Sequence, residues 1–387
     1  MQASSKRIYL DYAAPAPFDL RLAPVLESAS WANANSLYAE GKQAAGQLRA
    51  ARKRIAVSLG AHAPSEIIFT SGGSESVNMA IKGLASQIPN ANKTHVVVSA
   101  IEHDAVLNAA DSIKSQGYRV TRVTPNSLGI IMPAALEDAL QAIENVGDAT
   151  CLVAIQSVNN EVGSIQPIEE LAEISHRHGS LFFADAVQAL GKLEINLEQS
   201  GVDACAFSAH KIGALKGSGV LYVRSGLHIK AFIHGGGQEH GLRSGTSNVM
   251  GALAFAQAIE YAMAERDQNW EHALMLRKTL VDGIAASRFK HALAPTLADC
   301  SHAVPHIISL LCDGIEGETL VLRLDDAGFA TSSGSACSTG ALDPSHVRTA
   351  RGVPKDRAYG SLRISFCPDT SLADIEALLD ALPEVLR

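Results

Sequence analysis

Short unbroken apolar runs alternate with stretches of helical periodicity across most of the first 245 residues, and this alternation limits the fold more than any other feature. Glu66 to Thr70, Thr94 to Ile101, Tyr118 to Val123, Cys151 to Val158, Leu181 to Ala184, Ala204 to Phe207 and Val220 to Val223 read as strands. Between them Ser74 to Leu84, a stretch ending at Gly117, Pro133 to Ile143 and Ile168 to His178 read as helices, with Gly117 and Gly179 as C-terminal caps. Strands that are apolar along their whole length are covered on both faces, which favours a mainly parallel sheet flanked by helices. After about Gly245 the pattern changes: two long helical stretches, 249–266 and 270–286, precede a strand at Ile307 to Cys312. A helix from Glu318 to Ala327, a strand from Leu362 to Phe366 and a final helix from Leu372 follow. The expected architecture is an α/β chain of two parts. Residues 15–262 form a large domain, and 263–387 form a smaller α+β domain that recruits residues 1–14.

Composition excludes several classes. Hydrophobic residues are 47% and charged residues 19%, enough apolar surface for a buried core and far from a disordered chain. A formal charge of −8 repels phosphate backbones, so no nucleic-acid partner is expected. The opening residues lack the apolar core of a signal peptide, and no run reaches the ~18 apolar residues of a membrane span; a cytoplasmic protein is expected. Six cysteines lie far apart with no C-x-x-C pair, which fits reduced thiols rather than a disulfide framework or a zinc knuckle. His302 and His306 have loose metal-ligand spacing, but Pro305 intervenes and no carboxylate or thiol stands beside them, so no metal site is expected.

Four short segments carry chemistry. Thr70 to Ser76, rich in Gly and Ser, joins a strand to a helix and exposes backbone N–H groups suited to phosphate; it matches neither a Walker A motif nor G-x-G-x-x-G. Asp185 ends an apolar strand, where ligands bind in open α/β sheets, and a buried carboxylate there needs a cationic partner. Lys211, in Ser208-Ala209-His210-Lys211, also leaves a strand end, where desolvation can lower a lysine pKa for Schiff-base chemistry. Taken singly, a capped turn, a salt bridge and a solvated lysine are the ordinary fates of these residues. Together they are the parts of a pyridoxal-phosphate site. The fourth segment, Ser332 to Gly340, places Cys337 in a run of small flexible residues, unlike Cys205 and Cys312, which sit in apolar strands.

In order and spacing these segments resemble the NifS/IscS-type cysteine desulfurases of the class V aminotransferase group, which are fold type I PLP enzymes. Glu102-His103, Asn159-Asn160-Glu161, Asp185 to Gln188 and Gly235 to Thr246 strengthen the likeness, which runs from Ile8 to the terminal helix. The resemblance implies that Lys211 holds pyridoxal 5′-phosphate covalently, Asp185 pairs with the ring nitrogen, Gln188 bonds the ring hydroxyl, and His103 stacks on the ring and moves protons. It implies that Gly73, Ser74, Ser208 and His210 hold the phosphate, with Thr246 reaching across from the second subunit of a homodimer. Asn160 and Arg363 would orient L-cysteine, and Cys337, on a long mobile loop, would take its sulfur as a persulfide. A sulfur-acceptor protein, such as an iron–sulfur scaffold, would then receive it. The chain departs from the family pattern at Ala13 to Pro17, at Ala34 and Tyr38, and at Cys367. These departures keep selenocysteine and cysteine sulfinate open as substrates, and keep open a catalytically idle, sulfur-carrying or protein-binding relative.

Overall fold

The structure is a computed structural model that describes residues 7–86, 94–289, 291–297, 300–334 and 343–387. A short β1 (Ile8–Tyr9) precedes β2 (Ile67–Thr70), β3 (His95–Ser99), β4 (Arg119–Val123) and β5 (Thr150–Gln156). β6 (Leu181–Asp185), β7 (Ala204–Ser208) and β8 (Gly219–Val223) follow. Strands β2 to β8 form one seven-stranded sheet in the order β2-β8-β7-β6-β5-β3-β4. Side chains on both faces are buried, as the unbroken apolar runs require: Val97 and Phe182 face one core, Val98 and Phe183 the other.

The sheet is parallel except at β8, which runs antiparallel to both β2 and β7. The reason is local. Residues 209–218 hold only a single helical turn (Ala209–Ile212), too little chain for a crossover helix, so the strand after it must return antiparallel. Because β8 reverses twice over, β2 points the same way as β7. The carboxyl ends of β2, β3, β5, β6 and β7 therefore share one edge of the sheet.

A second, antiparallel sheet of β9 (Leu293–Pro295), β10 (Ile307–Cys312) and β12 (Ser361–Ser365) has the order β12-β10-β9. Leu276 and Leu280 of the Arg266–Ala286 helix and Ile375 and Leu378 of the Leu372–Val385 helix bury its apolar face. The last helix is started by a reciprocal cap: Asp374 N–H donates to Ser371 Oγ at 3.2 Å, and Ser371 N–H donates to Asp374 Oδ2 at 2.8 Å. The N-terminal arm joins this second core. β1 pairs in parallel with β11 (Phe329–Ala330), and Leu10 is wholly buried among its side chains.

The long Ala39–Ser58 helix is the main element that the apolar pattern does not reveal. Its buried positions are Gly41, Ala44, Ala51, Ile55 and Ala56, so close approach of backbones to the Val249–Ala264 helix replaces a stripe of large side chains. The break expected between 266 and 270 narrows to the single residue Glu265, which joins the Val249–Ala264 and Arg266–Ala286 helices.

Candidate active site

The shared strand edge opens onto a cavity of about 600 Å³. Gly73, Ser74, His103, Asn160, Asp185, Gln188, Ser208, His210, Lys211 and Arg363 all line it, brought together from positions up to 290 residues apart (363 minus 73). A larger cavity of about 720 Å³ elsewhere in the α/β sheet contains none of these side chains.

One wall is the start of the Gly73–Ala85 helix. Among the described residues no side chain caps it, so the amide groups of its first turn face the cavity at the positive end of the helix. Close backbone packing brings it there. A Cβ on Gly219 would lie 2.5 Å from Gly72 Cα, and one on Gly73 would meet Val187 Cγ2 at 2.9 Å. Opposite stand Ser208 and His210, with Ser208 Oγ 2.9 Å from His210 Nδ1. Burial, then the nearby Lys211 and Lys216 charges, pushes His210 down to about 4, so its ring is neutral at physiological pH.

The floor is Asp185, which ends β6 and accepts the Val187 N–H at 3.0 Å. Burial pushes its carboxyl up, and His103, the Val187 N–H and Lys211 pull it back. Lys211 leaves the end of β7 and donates through Nζ to the Ala13 carbonyl at 2.7 Å, which also takes Gln188 Nε2 at 2.8 Å. His103 caps the Asp104–Ser112 helix, with Nδ1 accepting the Ala105 N–H at 3.0 Å. Its neighbour Glu102 is wholly buried; Oε1 accepts from Ser99 Oγ and from the Gln156 N–H at 2.9 Å, while Oε2 has no hydrogen-bond partner among the described residues.

At the mouth, Arg363 of β12 donates from Nη1 to the Asn160 carbonyl at 2.9 Å and from Nη2 to Asp11 Oδ1 at 2.7 Å. A guanidinium already holding a carboxylate at the cavity wall shows that the position suits one. Gly334 and Asp343, which flank residues 335–342, also line the cavity. Cys337 itself lies outside the described residues. Thr246 is exposed and is not part of the cavity wall. Of the departing segments, Ala13 to Pro15 line the cavity; Tyr38 is half exposed before the Ala39–Ser58 helix, outside the cavity lining. Cys367 lies 3.2 Å from Thr370 Oγ1, on a neighbouring cavity of about 660 Å³ that shares Lys211.

The donor set fits pyridoxal phosphate. An uncapped helix start with two hydroxyls suits the phosphate, a buried carboxyl suits the ring nitrogen, and a strand-end lysine lies between them. A Cβ at Gly73 would also intrude on this bowl.

The fold and this site define a class V aminotransferase: the family profile described as "Aminotransferase class-V" matches residues 8–378, and the chain belongs to that family. Cysteine desulfurase IscS of Clostridium botulinum (strain Hall) is 37% identical over 99% of this chain and 95% of its own. A solved NifS-like protein superposes with a TM-score of 0.88 at 33% identity, covering 98% of this chain and 99% of that one. SspA, solved in complex with cysteine, gives a TM-score of 0.78 at 33% identity over 94% of this chain and 100% of its own. The resemblance carried by the sequence motifs therefore holds over nearly the full length, and the cofactor of the family is pyridoxal 5′-phosphate.

Several groups at the site carry no signal of their own in the sequence. The Ala13 carbonyl is a backbone acceptor, which residue type does not announce. Glu161 lines the cavity, accepts from Ser345 Oγ at 2.6 Å, and is pushed up by burial against the opposing effect of that hydroxyl. His346 stands at the rim with Nε2 2.9 Å from the Glu102 carbonyl. The motif Asn159-Asn160-Glu161 marks the first of these side chains, but nothing in it points to Ser345.

Proposed function

We propose that this protein is a PLP-dependent L-cysteine desulfurase, working as a homodimer in the cytoplasm. The observation that carries the reading is the single cavity that gathers Lys211, Asp185, Gln188, His103 and Arg363, with the flanks of the Cys337 segment on its wall. Residues 15–262 would form the cofactor-binding domain, and 1–14 with 263–387 the smaller one.

Bound in this cavity, pyridoxal phosphate supplies an electron sink for the carbon that carries the substrate amine. Lys211 anchors it, and Gly73, Ser74, Ser208 and His210 hold its phosphate. Asp185 balances a positive charge on the ring nitrogen, which offsets the cost of its own burial. Arg363 grips the substrate carboxylate and Asn160 borders it, fixing which bond faces the ring. His103 has Nδ1 committed to the Ala105 N–H, so it exchanges protons through Nε2. The Cys337 thiolate forms an S–S bond to the substrate sulfur as the Cβ–S bond breaks; the bonding pair stays on Cβ, which takes a proton to give alanine. An acceptor protein's thiolate then attacks the outer sulfur of that persulfide: a new S–S bond forms on the acceptor, an iron–sulfur scaffold in this reading, as the bond to Cys337 breaks and Cys337 leaves as its thiolate. Thr246, exposed outside the chain's own cavity, would complete the phosphate site of the second subunit.

An absorption spectrum of the purified protein before and after L-cysteine, with alanine and sulfide measured in the same tube, tests this. A cofactor band that shifts, with alanine released by the wild type and not by Cys337→Ala, is expected. A protein without the band, or a Cys337→Ala variant as active as wild type, would overturn it.

A further inference from the structure

Lys192 lies in the turns after β6, just past Gly191, whose φ of 73° sends the chain back on itself. The lysine is only 6% exposed. Its Nζ donates to the Gln188 carbonyl at 3.0 Å and lies 3.5 Å from Gln188 Oε1. At its other edge the same carboxamide donates from Nε2 to the Ala13 carbonyl at 2.8 Å, beside the Lys211 Nζ at 2.7 Å. The result is a short relay from Lys192 through Gln188 to the carbonyl on which Lys211 rests.

The two ends of a carboxamide have nearly the same shape, so packing alone does not choose between them; the charges on either side do. An ammonium is purely a donor and a backbone carbonyl purely an acceptor. With Oε1 toward Lys192 and Nε2 toward Ala13, both contacts are attractive. Turned over, the amide would set donor against donor at one end and oxygen against oxygen at the other. The long 3.5 Å contact is a weak hydrogen bond, yet in a buried site the ion–dipole preference it expresses is enough to decide the orientation.

From this we infer that Lys192 is a positioning residue for the cofactor: it fixes the Gln188 amide with its N–H edge toward the cavity, and it places a second cation behind Lys211. The inference rests on the pyridoxal-phosphate reading of the cavity. It goes further by giving Gln188 a polarity. Gln188 meets the ring oxygen as a donor, so the oxygen it holds is an acceptor, the deprotonated form. The same cation disfavours a proton on the nitrogen of Lys211. Besides Lys211, the titratable group that faces Lys192 is His306, from the segment before β10; the cavity both line also carries Tyr12, Asp19 and Arg21 of the N-terminal arm, Tyr261, Glu265 and His272 of the two long helices and their junction, and Cys367 and Asp369. Burial, then the Lys211 charge, brings Lys192 down to about 7, so the lock is complete below that pH and relaxes above it.

The test is a pH titration of cofactor absorbance in wild type, Lys192→Met, Lys192→Gln and Lys192→Arg, with bound cofactor counted in each. Removing a cation at this range in a site of intermediate dielectric raises the absorbance midpoint by about one pH unit, a roughly tenfold gain in proton affinity. Both neutral variants should show that rise with cofactor still bound, and Lys192→Arg, which stays charged where the lysine loses its proton, should give a midpoint at or below the wild-type one. A wild-type midpoint in Lys192→Met or Lys192→Gln overturns the inference. So does loss of cofactor from both neutral variants with Lys192→Arg intact, which would make the lysine a structural cation only. Wild type with no cofactor band at all would instead fail the underlying reading, so the two failures are distinct.

Discussion

Glu102→Gln should make the cofactor-free protein more stable at alkaline pH and remove a pH dependence that the wild type carries. Glu102 is wholly buried beside His103, with Oε1 taken by Ser99 Oγ and the Gln156 N–H and with Oε2 unpaired among the described residues. Burial drives its pKa up from 4.5 to about 8, the two hydrogen bonds oppose the rise, and the Asp185 charge adds to it. The native state therefore keeps a proton that the unfolded chain loses near pH 4.5, so the stability from this group is full below pH 4.5 and is lost as pH rises to about 8. A shift of this size corresponds to roughly 3–5 kcal/mol at its limit. Urea unfolding of both proteins from pH 5 to 9 gives the difference directly. With an m-value of about 4 kcal/mol/M for a chain of this length, the midpoint of the Glu102→Gln variant should gain on the wild type by roughly 0.5–1 M between pH 5 and pH 8.5. The new amide places a donor where Oε2 had no partner, and that cost is the same at every pH. The slope of the difference is therefore the test, and a difference that does not change with pH would refute the reasoning.

Three further substitutions probe the site. Gly219→Ala drives a Cβ to 2.5 Å from Gly72 Cα, against backbone atoms that cannot swing aside; a loss of roughly 2–3 kcal/mol, read as a melting temperature lower by several degrees, is expected, and an unchanged melt would contradict the close packing. Asp185→Asn removes the buried carboxylate on the floor of the cavity; the cofactor should remain bound while alanine release falls by about 100-fold, and wild-type turnover would show that the ring nitrogen does not depend on Asp185. Arg363→Lys keeps the charge but gives up the planar fork, so the KM for L-cysteine should rise by about tenfold with the cofactor spectrum unchanged; equal KM values would place the substrate carboxylate elsewhere.

What the sequence makes legible here is what a strand end carries. Asp185, Lys211 and the Thr70 to Ser76 turn each follow an apolar run that ends abruptly, and a parallel sheet sends all such ends to one edge. Residue type and position alone therefore place these groups in a single cavity. Lys192 shows where that logic stops. It follows Gln188 in a turn, with the spacing of an ordinary surface lysine, and its burial depends on Gly191 folding it back and on His306 arriving from the segment before β10. The Ala39–Ser58 helix is hidden for a related reason: alanine and glycine bury backbone rather than bulk, so a packed face leaves no apolar stripe to read. Arg363 stands between the two cases. The family resemblance, not the residue pattern, marks the arginine in β12 as the expected grip for a substrate carboxylate, and the carboxylate it holds in this structure is the protein's own Asp11, delivered by the N-terminal arm that β1 ties to β11. If Arg363 grips the substrate carboxylate as proposed, substrate has to take over the Nη2 contact that Asp11 now makes, and the arm that closes the second core would then also set how tightly the cavity receives an amino acid.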